Sequence, residues 1–179
     1  MRHSIPYLTA AALALGVVGS FVAFPAVSFA QDATVEMKRV DLMAADKSGL
    51  PVGIAAEQWM QASGEARVVS TDNDEASIEV EATGLVPEGL YTIWWVTPKT
   101  IGMDMGPAGG TPANEFTADA QGHPMTTFSV PAENTYGMMV VAYHADNQSH
   151  GDMPGEMGEV TFEQLMGPWP GPAGEMSDM

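Results

Sequence analysis

Leu90-Tyr-Thr-Ile-Trp-Trp-Val96 is the stretch that most restricts what this chain can become. Every residue in it is β-branched, aromatic or leucine, the types that fit a pleated surface. Alternation puts Tyr91, Ile93 and Trp95 on one face and Leu90, Thr92, Trp94 and Val96 on the other. Both faces are apolar, which is the signature of a central strand covered on both sides.

Its surroundings repeat the theme. Ile78 and Val80 alternate with Ser77, Glu79 and Glu81 across 76–82, a half-buried strand. Phe128 and Val130 alternate with Thr127 and Ser129 across 125–130, and 138–143 is a further apolar run. Segments 35–42 and 66–70, a short stretch at 114–118 and a last strand at 159–162 complete the set. Polar turns at 71–75, 83–89 and 119–122 separate them. Residues 50–62 fit two patterns. Ile54, Ala55, Gln58, Trp59 and Ala62 would share a helical face, whereas a strand over 52–60 would turn Trp59 inward. Its place between strand-like segments favours the strand. The Gly- and Pro-rich segment 98–112 reads as a long loop, and the tail 167–179 as irregular. Seven or eight short strands at roughly ten-residue spacing predict an all-β, antiparallel, immunoglobulin-like β-sandwich in one domain, over 31–166.

At the N-terminus, Arg2 and His3 precede an apolar run over 7–24. Pro25 and the small residues Ser28 and Ala30 follow. This is the layout of a secretory signal peptide over 1–30, and it predicts a secreted or periplasmic protein with no membrane insertion after cleavage. The chain has no cysteine. Disulfides, lipid attachment at cysteine, zinc–thiolate sites and thiolate-ligated copper are therefore excluded. All 23 acidic residues lie beyond residue 30, and the formal net charge of the chain is −17. Such a surface repels phosphate backbones, so nucleic acid is excluded as a partner.

The segment Gly84-Leu-Val-Pro-Glu-Gly-Leu-Tyr-Thr-Ile-Trp-Trp-Val96, followed by a Gly-rich loop and Val141-Ala-Tyr-His144, resembles a set of bacterial secreted all-β proteins that carry no assigned activity. The resemblance covers about two thirds of the chain beyond residue 30. It implies export and a small all-β fold, and it transfers no functional residues.

Candidate chemistry gathers after the 138–143 strand. His144 and His150 are followed by Met153 and Met157, in the spacing H-x5-H-x2-M-x3-M. Imidazole suits copper in both oxidation states and thioether suits Cu(I), so the loop is expected to hold copper or another soft metal. His123, Met103 and Met105 are further donors. Asp146 or Asp152 could orient an imidazole through its second nitrogen. If the face carrying Met138, Val140, Ala142 and His144 points inward, His144 stands at the rim of the core. Two acidic groups, Asp72-Asn-Asp-Glu75 and Asp146 with Asp152 and Glu156, offer calcium-type oxygens, although neither has EF-hand spacing. There is no G-x-S-x-G, P-loop, G-x-G-x-x-G or H-E-x-x-H pattern, and the chain reads as a non-enzymatic protein. The alternative is an adhesion or binding module presenting Trp94 or Trp95 with Trp59, Tyr91, Tyr136 and Tyr143 as an aromatic patch.

Overall fold

The computed structural model describes residues 38–171. The signal-peptide reading and the end of the tail, 172–179, lie outside the described residues. Nine strands and one short helix follow in the order β1 (Arg39–Ala44), α1 (Ala56–Trp59), β2 (Ser63–Asp72), β3 (Glu75–Thr83), β4 (Leu90–Pro98), β5 (Met103–Pro107), β6 (Glu115–Thr117), β7 (Met125–Pro131), β8 (Met138–His144) and β9 (Thr161–Pro168). All pairings between these strands are antiparallel.

The chain is all-β, as its alternation implied, but hydrogen bonding joins the strands into one curled sheet. Their order is β5-β4-β8-β9-β1-β2-β3-β7, with β6 extending the β5 edge of β4. The central position expected for 90–96 holds: β4 has β8 on one side and β5 and β6 on the other. Curling brings the two ends of the sheet face to face over one core. Ile78, Val80, Phe128 and Val130 from one end meet Tyr91, Ile93, Met139, Val141 and Leu165 from the other. The sheet edges also approach each other. Gly109, between β5 and β6, sits so close to β7 that a Cβ there would lie 3.0 Å from the Ser129 carbonyl oxygen. The connector thus shields part of the β7 edge from strand addition. No described helix is long and apolar enough to cross a membrane.

The turn at 71–75 closes the β2–β3 hairpin with Asn73 and Asp74 both at positive φ, 47° and 69°. That is the two-residue turn whose twist matches the flanking strands. Residues 71–75 are all exposed.

Three local expectations are corrected. Residues 50–62 do not form a strand. β1 pairs directly with β2, so no edge is vacant between them. The segment instead makes a single helical turn that drives Trp59 fully inside. There the indole N–H donates to the Ala45 carbonyl at 2.6 Å. A buried polar chain anchors that turn: the Val86 N–H donates to the Tyr91 hydroxyl, which donates to Gln164 Oε1, while Gln164 Nε2 donates to the Trp59 carbonyl. Burial also pushes the Tyr91 hydroxyl pKa up.

Segment 98–112 is not all loop, because Met103–Pro107 pairs with β4. An edge strand needs only one hydrogen-bonding side and can leave outward side chains in water, so it carries little apolar signal. The last strand runs to Pro168 rather than ending at Phe162, and Trp169 is buried against Phe128 and Tyr136. A bulge between Val141 and Ala142, opposite Leu165 and Glu163, shifts the phase of β9 and hides its alternation in the sequence.

Candidate metal centre

The face of β8 that carries His144 points away from the main core. Trp94, Val96, Val140 and Ala142 share this outer face and form a second, smaller buried cluster with Met138 and Met166 against it. Residues 145–160 fold back at the His144 end. The Ala145 N–H donates to the Val160 carbonyl, and the Thr161 N–H to the Glu156 carbonyl. Pro154 is buried. Two cross-links tie this loop to the β5–β6 region: Thr111 donates to Asp152 Oδ1 at 2.9 Å, and Ser149 donates to Glu115 Oε1. His144 is consequently buried although it lies outside the main core.

Both ring nitrogens of His144 are engaged. Nε2 lies 2.8 Å from Thr92 Oγ1 and Nδ1 lies 3.2 Å from Thr161 Oγ1. The neighbours fix the proton. The Thr161 hydroxyl gives its only hydrogen to the Pro154 carbonyl, so it accepts from Nδ1–H. Thr92 Oγ1 accepts the Trp94 indole N–H at 2.7 Å and gives its own hydrogen to Nε2. The result is one continuous chain, Trp94 to Thr92 to His144 to Thr161 to Pro154, with a neutral Nδ1–H imidazole at its middle. Burial, then the adjacent His150, holds the His144 pKa below the ordinary 6.5, while Asp146 and Glu115 pull the other way.

His150 stands at the surface end of this arrangement. Its ring centroid is 5.6 Å from that of His144, and its Nε2 is 3.1 Å from Asp146 Oδ2. One donor atom each from His144, Asp146 and His150 lie within 4.8 Å of one another. Adjacent ligands of a tetrahedral ion with bonds of about 2.0–2.1 Å stand about 3.3 Å apart. The Asp146–His150 pair is already at that spacing, and closing on His144 takes a shift of order 1 Å. A metal at His144 would replace one hydroxyl hydrogen bond by a coordination bond.

The other sequence candidates are distributed around the molecule. Met153 and Met157 lie on the same loop, 69% and 42% exposed. Met103 and Met105 are on edge strand β5. His123 lies elsewhere, in a groove of about 450 Å³ with Glu65, Glu81 and Met125. Its backbone N–H donates to Asp119 and holds that carboxyl below its usual range. Of the calcium-type oxygens, Asp146 pairs with His150 and Asp152 with Thr111. Of the aromatic residues, Trp59, Tyr91 and Trp94 are buried. Trp95 stacks on Tyr136 at 4.5 Å, and Tyr143 packs beside Trp59 and Tyr91.

Sequence reasoning missed Glu115, Thr92 and Thr161. Glu115 pairs with Thr92 across β6 and β4, and Thr161 pairs with His144 across β9 and β8. Only the strand pairing signals them, because they are neighbours across the sheet and distant along the chain. No family model, no curated protein and no solved structure matches this chain.

Proposed function

We propose that this chain is an exported, non-enzymatic copper-binding protein whose ion is held by His144, Asp146 and His150. The observation that carries the reading is the approach of two imidazoles and one carboxylate to within 4.8 Å of one another at the end of β8. Two imidazoles and a carboxylate suit a borderline divalent ion, Cu(II) foremost. Burial holds His144 toward its uncharged form, and coordination there would exchange one of its two threonine hydrogen bonds for a bond to the ion. A net charge of −17 favours the arrival of cations. Met153 and Met157, on the same loop, are the thioethers that would follow the ion into its reduced state. Export rests on the N-terminal layout of charged, apolar and small residues. The scaffold is read as a variant of the immunoglobulin-like sandwich, a reading supported by the two ends of the sheet sharing one core.

The test is Cu(II) titration of the purified chain against His150→Ala and Asp146→Asn. Both residues lie toward the surface, so the fold survives their loss. One tightly bound equivalent is expected, with imidazole nitrogen couplings in its electron paramagnetic resonance spectrum. Each variant should weaken it at least about tenfold. Equal uptake by all three proteins would end the copper reading.

A further inference from the structure

Two hydrogen bonds tie the loop after β8 to the stretch that leads into β6, and they bracket His150. On one side of it the Ser149 hydroxyl donates to Glu115 Oε1, a residue 34 positions away along the chain. On the other side the Thr111 hydroxyl donates to Asp152 Oδ1 at 2.9 Å. The Thr111 bond is exposed, whereas the Glu115 bond is partly buried and is the better shielded of the two. Strand phase explains why Glu115 stands there. Phe116 stacks on Tyr91 against the main core, with ring centroids 5.4 Å apart, so its neighbour Glu115 points to the outer face. There it pairs directly with Thr92, whose hydroxyl holds His144 Nε2. Thr92 therefore lies between Glu115 on β6 and His144 on β8.

His150 is an exposed residue, so packing alone does not fix its ring. The backbone folds around it: the Gly151 N–H donates to Ser149 Oγ at 3.4 Å. Its ring lies against Gly155, where a Cβ would stand 2.7 Å from Cδ2. We propose that Glu115 is a positioning residue for this centre: through Ser149 it holds the His150 ring beside His144, where the two can share an ion. The identity of that ion rests on the copper reading above; the contact between the rings does not. A carboxylate acceptor makes the Ser149 bond charge-assisted and shorter-ranged in its geometry than a neutral one. The positioning itself needs only an acceptor oxygen. Glu115→Gln keeps that oxygen and removes the charge, Glu115→Ala removes both, and Ser149→Ala removes the donor from the loop side.

The test compares wild type with these three variants, each checked for folding by urea denaturation. In the metal-free proteins, NMR should show a nuclear Overhauser contact between the rings of His144 and His150, whose centroids are 5.6 Å apart, in wild type and in Glu115→Gln. The contact should be lost in Glu115→Ala and in Ser149→Ala. After loading with Cu(II), electron paramagnetic resonance should show two imidazole nitrogens in wild type and Glu115→Gln. Glu115→Ala should show one, with binding at least about tenfold weaker. A change in stability alone would move neither the ring contact nor the nitrogen count. A ring contact that persists in folded Glu115→Ala or Ser149→Ala would overturn the proposal. So would its absence from wild type or Glu115→Gln, or two coordinated nitrogens in Glu115→Ala. No Cu(II) uptake by wild type, with the ring contacts as expected, would end the copper reading and leave Glu115 in its positioning role.

Discussion

Thr92→Val tests the hydrogen-bond chain at the candidate centre. The substitution preserves shape and removes one hydroxyl, but it strands two buried groups. The Trp94 indole N–H loses its acceptor at 2.7 Å, and His144 Nε2 loses its donor at 2.8 Å. Thr92 itself is 1% exposed, so water does not reach the vacated position. Leaving a buried polar group unpaired costs about 1–3 kcal/mol. The new methyl group recovers part of this through apolar burial, and the two losses share one atom. The expected net loss is about 3 kcal/mol, or about 10 °C in Tm for a domain of this size. Urea denaturation followed by tryptophan fluorescence should show a lower midpoint with an unchanged m-value. Thr97→Val is the control. Its hydroxyl makes only an exposed 3.3 Å contact with the Thr135 carbonyl, and it should move stability by less than about 0.5 kcal/mol. If Thr92→Val costs no more than Thr97→Val, the Trp94–Thr92–His144 chain does not hold the outer cluster together.

Two further outcomes follow from the same geometry. His144 should appear by nitrogen-15 NMR as the neutral Nδ1–H tautomer at pH 7 and titrate with a midpoint below 6.5. Because its folded pKa is depressed, the stability linked to its neutral form is fully present above the unfolded value of about 6.5 and is lost as pH falls through the lowered folded value. A midpoint at or above 6.5 would contradict this. Gly109→Ala should cost more than about 1 kcal/mol, because its φ of +80° disfavours alanine and the added methyl would stand 3.0 Å from the Ser129 oxygen and 3.1 Å from Phe128 Cβ. Gly110→Ala, at a similar φ but in open space, isolates the strain and should cost less in the same denaturation assay.

What the sequence by itself determined is local. Side chains alternate across a strand whatever lies beside it, so Ile78 with Val80 and Phe128 with Val130 declare buried faces before any partner is known. Trp59 was destined for the interior in either reading of its segment, and Asn73-Asp74 marked the hairpin. Tertiary structure decided which of two apolar faces met the main core. It sent Tyr91 and Ile93 inward and left Trp94, Val140 and His144 on the outer face. It also recruited Met103–Pro107 as an edge strand and folded residues 56–59 into a helical turn, because β1 and β2 had already claimed each other's edges. The candidate centre divides in the same way. The loop's histidines and aspartates are legible as a spacing, but the atoms that fix the His144 proton come from Thr92 and Thr161, 52 and 17 residues away. Hydrogen bonds between such distant residues depend on strand register, and register is set only when the sheet closes on its core.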